Sequence, residues 1–252
     1  MEGWSTQAMM ARDLFWRMQD HIVAALLEVD GSNQRIREDV WEHTHGGGGR
    51  TRVLTELQVF EKGGVNVSAV RGPALPPSVA ESVPAGRNLP FVATGLSLVL
   101  HPRNPHVPTV HMNCRFFQAG EDVWWFGGGA DLTPYYPQRE DVVHFHRTLQ
   151  AVSDSFDPTW YPRYKAWCDD YFYLKHRKEH RGVGGIFFDY CGATGLGNAD
   201  DSSQMAADRW AGFDRGLQFV EAVCRGFVEA YVPIGAARKD QPWTERERWF
   251  QE

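Results

Sequence analysis

The stretch Thr109–Phe117, TVHMNCRFF, places a histidine, an asparagine and an arginine at every second position, alternating with Met112, Cys114 and Phe116. Side chains on a strand point to opposite faces with a period of two, so His111, Asn113 and Arg115 share one face and the apolar residues share the other. Such a strand belongs in a sheet packed on one side. Its polar face is either half-solvated or a platform for an anionic, hydrogen-bonding ligand.

Working outward, Thr51–Val70 predicts two strands, TRVLTELQVFEK and VNVSAV, joined by a hairpin at Gly63-Gly64. After a proline-rich connection, strands are expected around Gly95–Leu100 and Thr109–Gln118. Another covers Asp122–Phe126 and ends at the triplet Gly127–Gly129. The run Gly46–Gly49 before Arg50 lacks the Gly-Lys-Ser/Thr ending of a phosphate loop and reads as a flexible loop. In the first thirty residues Leu14, Met18, Ile22 and Leu26 recur at helical spacing.

The second half turns helical. Val142, Phe145, Leu149, Val152 and Phe156 form one stripe; Trp167, Tyr171 and Leu174 predict a helix from about Tyr164 to His180, with Gly182 as its stop. The strand GGIFFDY intervenes before a long helix through Phe213, Leu217, Val220, Cys224, Phe227 and Tyr231. Strands early and helices late predict an α+β domain with helices packed on an antiparallel sheet. Near the end, Thr244 and Glu247 have the spacing of a capping box, opening a helix in which Trp249 and Phe250 have no obvious partner. A helix of about two turns is unstable alone, so it either docks on the body or has lost what followed it.

The totals exclude several classes. A chain of 252 residues with 42% hydrophobic content supports one good core, and a net charge of -6 argues against a nonspecific nucleic-acid binder. Any anionic ligand must be drawn by a local arginine cluster. The four cysteines form no C-x-x-C pair, which fits a reduced, intracellular protein. The N-terminus carries Asp13, Asp20 and Glu28 and resembles neither a signal or transit peptide nor a membrane span, so the cytoplasm is expected.

Among the ten histidines, His144 and His146 lie about 200° apart on their predicted helix, so both cannot bind one ion. No H-E-x-x-H spacing marks zinc and no G-x-S-x-G elbow marks a serine nucleophile. Cys114 sits on the apolar side of its strand, where packing is its expected role. Asp131, behind three glycines that add no side-chain bulk, is placed either to approach a flat ligand or to cap a turn. Arg177 and Arg181 are expected at a helix end.

The strings WWFGGGADLTPYY, HFHRT, YPRYKAWCDDYFYLKHRKEHRGVGGIFFDY and GRTRVL…VFEKGGVNVSAV resemble the oxygen-dependent coproporphyrinogen III oxidases. The resemblance runs in the family's order from about Gly46 to Phe250. It implies a single domain with a large antiparallel sheet flanked on both faces by helices, an α/β/α sandwich, and a homodimer. The implied reaction converts two propionates of coproporphyrinogen III to vinyl groups, giving protoporphyrinogen IX in haem biosynthesis. Dioxygen is the implied co-substrate, without an organic cofactor. By position, His111 resembles the family's proton donor, and Ser97, Asn113, Cys114 and Arg115 resemble its substrate contacts. His101, His111, His146 and His176 fall where a divalent metal has been proposed, although the family is also described as working without one.

The same chemistry accounts for the polar face of TVHMNCRFF. Pyrrole N–H groups need acceptors such as Asp131 or the Asn113 amide oxygen, and propionates suit the forked guanidiniums of Arg115 and Arg181. Asp131 is expected to bind or deprotonate a pyrrole N–H. Family members continue beyond the position of Phe250 with a segment resembling R-G-R-Y-V-E-F-N-L, then D-R-G-T and a glycine-rich loop. The chain is accordingly expected to be a C-terminally truncated member. The rival expectations are an impaired homologue that binds tetrapyrrole without turnover, a partner that works only beside an intact subunit, and an unrelated histidine-dependent metalloenzyme.

Overall fold

The computed structural model describes residues 4–31, 36–80, 88–121, 123–192 and 212–251. The elements in chain order are α1 (Thr6–Asp30), β1 (Arg37–Glu42), β2 (Gly47–Thr55), β3 (Phe60–Gly72), the single turn α2 (Pro77–Ala80), β4 (Phe91–Pro102), β5 (Thr109–Ala119) and β6 (Val123–Thr133). There follow α3 (Arg139–Asp154), α4 (Trp160–Tyr171), β7 (Tyr173–Leu174), β8 (Glu179–His180), β9 (Gly184–Cys191), α5 (Phe213–Arg238) and α6 (Glu245–Gln251). One antiparallel sheet runs β1-β2-β3-β4-β5-β6-β9, and β7-β8 is a separate small hairpin. The α+β architecture expected from the order of patterns is the one observed.

The alternation on the quoted strand decides how the layers form. Met112, Cys114 and Phe116 are buried under α1 and α5, with Leu96, Leu98 and Leu100 of β4 and Ala130 and Leu132 of β6 beside them. The stripe Leu14, Met18, Ile22 and Leu26 is buried on α1, which opens with Ser5 accepting the Ala8 N–H at 3.0 Å and closes at Gly31, whose φ is 71°. In α5, Pro233 cannot donate to the carbonyl of Glu229; His144 Nε2 takes that carbonyl at 3.0 Å. His144 is thereby a structural histidine. On the opposite face Leu75 and Ala80 cover Trp125 and Ala119, and Tyr171 at the end of α4 stacks on Phe187 of β9 at 4.3 Å. Between these two covers the sheet is open.

Several local expectations are corrected, three of them at glycine runs. Gly47–Gly49 lie in β2 and not in a loop: a Cβ at Gly48 would sit 2.2 Å from the Trp41 carbonyl, and one at Gly49 would sit 2.4 Å from the Trp41 ring. Gly63-Gly64 lie inside β3; the hairpin turns at residues 56–59, where Glu56 takes φ 54°. The triplet Gly127–Gly129 lies within β6, which carries Asp131 as a strand residue. The helix predicted to reach His180 stops at Tyr171, because residues 175–182 offer no apolar side chain to bury; Leu174, Arg177 and Arg181 belong to the β7–β8 hairpin and its exit.

The capping box at Thr244 forms, with the Thr244 N–H donating to Glu247 Oε2 at 2.7 Å. The short helix α6 docks: Arg248 binds Glu61 at 2.6 Å and the Arg103 carbonyl at 2.6 Å, and Phe250 packs on Tyr135 and Tyr136. Trp249 stays exposed. Residues 81–87 of the proline-rich connection and Asp122 lie outside the described residues.

The β2–β3 turn depends on a buried carboxylate. Asp30, 1% exposed at the end of α1, accepts the N–H groups of Val59 at 2.7 Å and of Gln58 and Phe60 at 3.3 Å. Asp30→Ala strands these buried donors and is expected to cost roughly 2–4 kcal/mol of stability. Denaturant unfolding checks this, and a loss under about 0.5 kcal/mol, the range of a neutral surface change, would contradict it.

Candidate functional site

The open face of the sheet carries rows of cross-strand neighbours. One row runs Asn66, Ser97, Asn113, Gly129 and Phe187; the next runs Gly64, Val99, His111, Asp131 and Gly185. A third sets Ser68, Gly95, Arg115 and Gly127 side by side. From these rows Asn66, Ser97, His111, Asn113, Arg115 and Asp131 line a pocket of about 330 Å³, walled by Tyr171, Phe172, Phe187 and Arg181. Glycine is required in these rows. A Cβ at Gly129 would lie 2.5 Å from the Ile186 carbonyl, and one at Gly127 would lie 2.3 Å from Asp189 Oδ1 and 2.8 Å from Arg115 Nε.

Two arginines are each held by a carboxylate. Arg181 Nη2 donates to both oxygens of Asp131 at 2.8 Å, and its guanidinium lies 3.8 Å from the centre of the Phe172 ring. Asp131 is 3% exposed; its second partner is His111, whose Nδ1 donates to Oδ2 at 3.2 Å and whose Nε2 is left for the pocket. Arg115 donates through Nη2 to Asp189 at 2.7 Å and through Nη1 to the Asn113 amide oxygen at 2.9 Å. Both guanidiniums remain about one third exposed, with N–H edges unused. The buried Nε of Arg181 has no acceptor among the described residues.

Asp189 reaches Arg115 because β9 bulges there. Phe126 faces Cys191 and Gly128 faces Phe188, so β9 carries one extra residue, and Tyr190 absorbs the bend at φ 55°. A non-glycine residue held in that region costs of the order of 1 kcal/mol. The Tyr190 N–H in turn donates to Asp189 Oδ1 at 2.9 Å.

The structure therefore brings together Ser97, His111, Asn113, Arg115, Asp131 and Arg181 on one face. It does not bring the Cys114 side chain there. Cys114 is fully buried on the helix side, with Sγ 3.9 Å from the Val220 carbonyl, as strand alternation requires. The four histidines do not form one donor set. His101 and His111 stand on the open face, and His176 lies in the exposed turn between β7 and β8. His146 has both ring nitrogens engaged: Nε2 donates to the Val183 carbonyl at 3.0 Å, and Nδ1 accepts from the Tyr161 hydroxyl at 2.9 Å. Burial pushes the His146 pKa down, in keeping with a neutral ring. Among the described residues no three His, Cys, Asp or Glu side chains converge on a space for a metal ion.

Sequence reasoning missed Asp189, Asn66 and the aromatic wall. Asp189 carried a usable signal, since it alternates with Phe187 on the predicted strand GGIFFDY, but its partner Arg115 lies 74 residues away. All four cysteines are free and buried. Burial pushes the Cys168 thiol to about 12 and raises Cys191, while Cys224 is raised by its contact with Cys114 and by burial. None presents a thiolate to the pocket. Iodoacetamide at neutral pH is expected to leave the native protein unmodified and to label all four thiols in denaturant; fast labelling of the native chain would contradict the packing.

The family model described as Coproporphyrinogen III oxidase matches residues 10–252. A curated relative from Prochlorococcus marinus (strain MIT 9313), an oxygen-dependent coproporphyrinogen-III oxidase, is 47% identical over 249 residues, covering 96% of this chain and 71% of the relative. Relatives of the same name from Synechococcus sp. (strain CC9605) and Parasynechococcus marenigrum (strain WH8102) are 50% and 48% identical, each over 96% of this chain and 68% of the relative.

Proposed function

The chain belongs to the coproporphyrinogen III oxidase family, and from that premise we propose that it is an oxidoreductase of porphyrin biosynthesis that turns two propionates of coproporphyrinogen III into vinyl groups with dioxygen as co-substrate. The observation that carries the proposal is the pair of partly exposed guanidiniums, Arg115 on Asp189 and Arg181 on Asp131, standing over a glycine floor on the open face.

At each reacting propionate the carboxyl leaves as carbon dioxide, and the β-carbon gives up a hydrogen with its electron pair to dioxygen. The side chains supply binding and proton handling. Arg115 and Arg181 keep N–H edges for carboxylates, and a charge-assisted bond of this kind contributes about 1.5–3 kcal/mol. Ser97 and Asn113 offer neutral polar contacts between them. Asp131 has lone-pair capacity beyond Arg181 and His111, and accepts a pyrrole N–H, drawing the proton off as the ring becomes electron-rich. His111 is hydrogen-bonded to Asp131 through Nδ1 and lines the pocket, so once its other ring nitrogen is protonated it can deliver that proton to the reduced dioxygen. Tyr171 and Phe187 form an apolar wall suited to the macrocycle. No helix among the described residues is long and apolar enough to cross a membrane. The reading extends to a cytoplasmic homodimer, which the family resemblance supports.

Aerobic incubation with reduced coproporphyrinogen III, read by fluorescence after oxidation of the products, tests the proposal. Asp131→Asn keeps the shape and an acceptor oxygen but loses the base, so turnover is expected to fall about 10²–10⁴-fold in a folded protein. Near-normal turnover of the variant would remove Asp131 from proton handling. Binding without turnover in the unsubstituted chain would select the impaired tetrapyrrole binder.

A further inference from the structure

The two arginines that invite an anion are already balanced, Arg115 by Asp189 and Arg181 by Asp131. A further cation on the open face lies away from both of them. At the end of the sheet where β3 meets β4, Lys62 stands directly opposite His101, and His111 is the diagonal neighbour of His101 through the pair Val99–His111. Lys62 and His101 are exposed, and neither makes a hydrogen bond or ion pair among the described residues. The adjacent carboxylate, Glu61, is taken up by Arg248 at 2.6 Å. An ammonium beside an imidazole on an exposed sheet end offers N–H donors to an anion. Burial, and then the charges of His111 and Lys62, lower the His101 pKa against the opposing pull of Glu61, in keeping with a neutral ring beside the Lys62 ammonium.

The distance along the sheet says which anion fits. Gly95 faces Arg115, and His101 lies six residues further along the same strand, a rise of about 20 Å. Arg115 bends inward to Asn113, and the flexible four-carbon stem of Lys62 can close the remainder to the scale of a macrocycle with extended carboxylates. Asn66 and Ser97 line the floor between.

We infer that Lys62, with His101 beside it, forms a second carboxylate subsite, holding a propionate of the substrate remote from the one at Arg115. The inference rests on the proposed function and deepens it: Lys62 sets the preference for a tetracarboxylate over a dicarboxylate. As an ammonium on a flexible stem it serves as a point-charge anchor and takes no part in the chemistry.

The test measures quenching of tryptophan fluorescence by coproporphyrin III, with four carboxylates, and by mesoporphyrin IX, with two. The unsubstituted protein should bind coproporphyrin III more tightly. Lys62→Ala should weaken coproporphyrin III binding about tenfold, leave mesoporphyrin IX binding within twofold, and raise KM for coproporphyrinogen III with kcat little changed. Lys62→Arg should restore most of the affinity. Because Lys62 is exposed, unfolding is not expected to obscure the result, and circular dichroism confirms it. Unchanged coproporphyrin III affinity in Lys62→Ala would overturn the subsite and leave the proposed function standing. Failure of the unsubstituted protein to bind either porphyrin would overturn the substrate reading, and the subsite with it.

Discussion

The ion pair between Arg181 and Asp131 is the constraint on which the site depends. A carboxylate 3% exposed on an interior strand is costly unless its charge is matched. The match comes from a residue 50 positions later, at the exit of the β7–β8 hairpin. To deliver it, α4 must end at Tyr171, the hairpin must fold back, and the Arg181 N–H must bond the Phe172 carbonyl at 3.1 Å. Phe172 then lies under the guanidinium and Phe187 under Tyr171, so closing the ion pair also builds the aromatic wall. Pairing and shape have one cause.

The second arginine is held by a different device. Asp189 is aimed at Arg115 by a bulge in β9, with Tyr190 kept at φ 55° and Gly127 leaving room beneath. This backbone strain coincides with the pocket. Two guanidiniums fixed at both ends lose less freedom on meeting a carboxylate than free side chains would, which favours binding through preorganisation. The same pairing cancels their charge, so the face is nearly neutral at its centre and cationic towards Lys62.

Much of this was legible in sequence where a local rule applies. Strand alternation in TVHMNCRFF separated the packed from the polar face, and helical spacing found α1, α3 and α5. Alternation also placed Cys114 in the core, against its position among the segment's expected substrate contacts. Three glycine runs, Gly47–Gly49, Gly63-Gly64 and Gly127–Gly129, misled. All three sit inside strands; at Gly47–Gly49 and Gly127–Gly129 neighbouring backbone or side chains come too close for a Cβ, and that reason is tertiary. The Arg181–Asp131 and Arg115–Asp189 partners are 50 and 74 residues apart, beyond any local pattern. The metal position came from the family resemblance, and no local pattern reveals that His146 is bonded to Tyr161 and Val183.

The central claim is that the open face between the α2 cover and the end of α4 is the tetrapyrrole site. A crystal structure of the chain with coproporphyrin III tests it most directly. The account predicts the macrocycle against Tyr171 and Phe187, with one carboxylate on Arg115 and a pyrrole nitrogen facing Asp131. A porphyrin seated in the groove beside Trp41 and Gly47–Gly49, with the Arg115 and Arg181 pockets untouched, would contradict it.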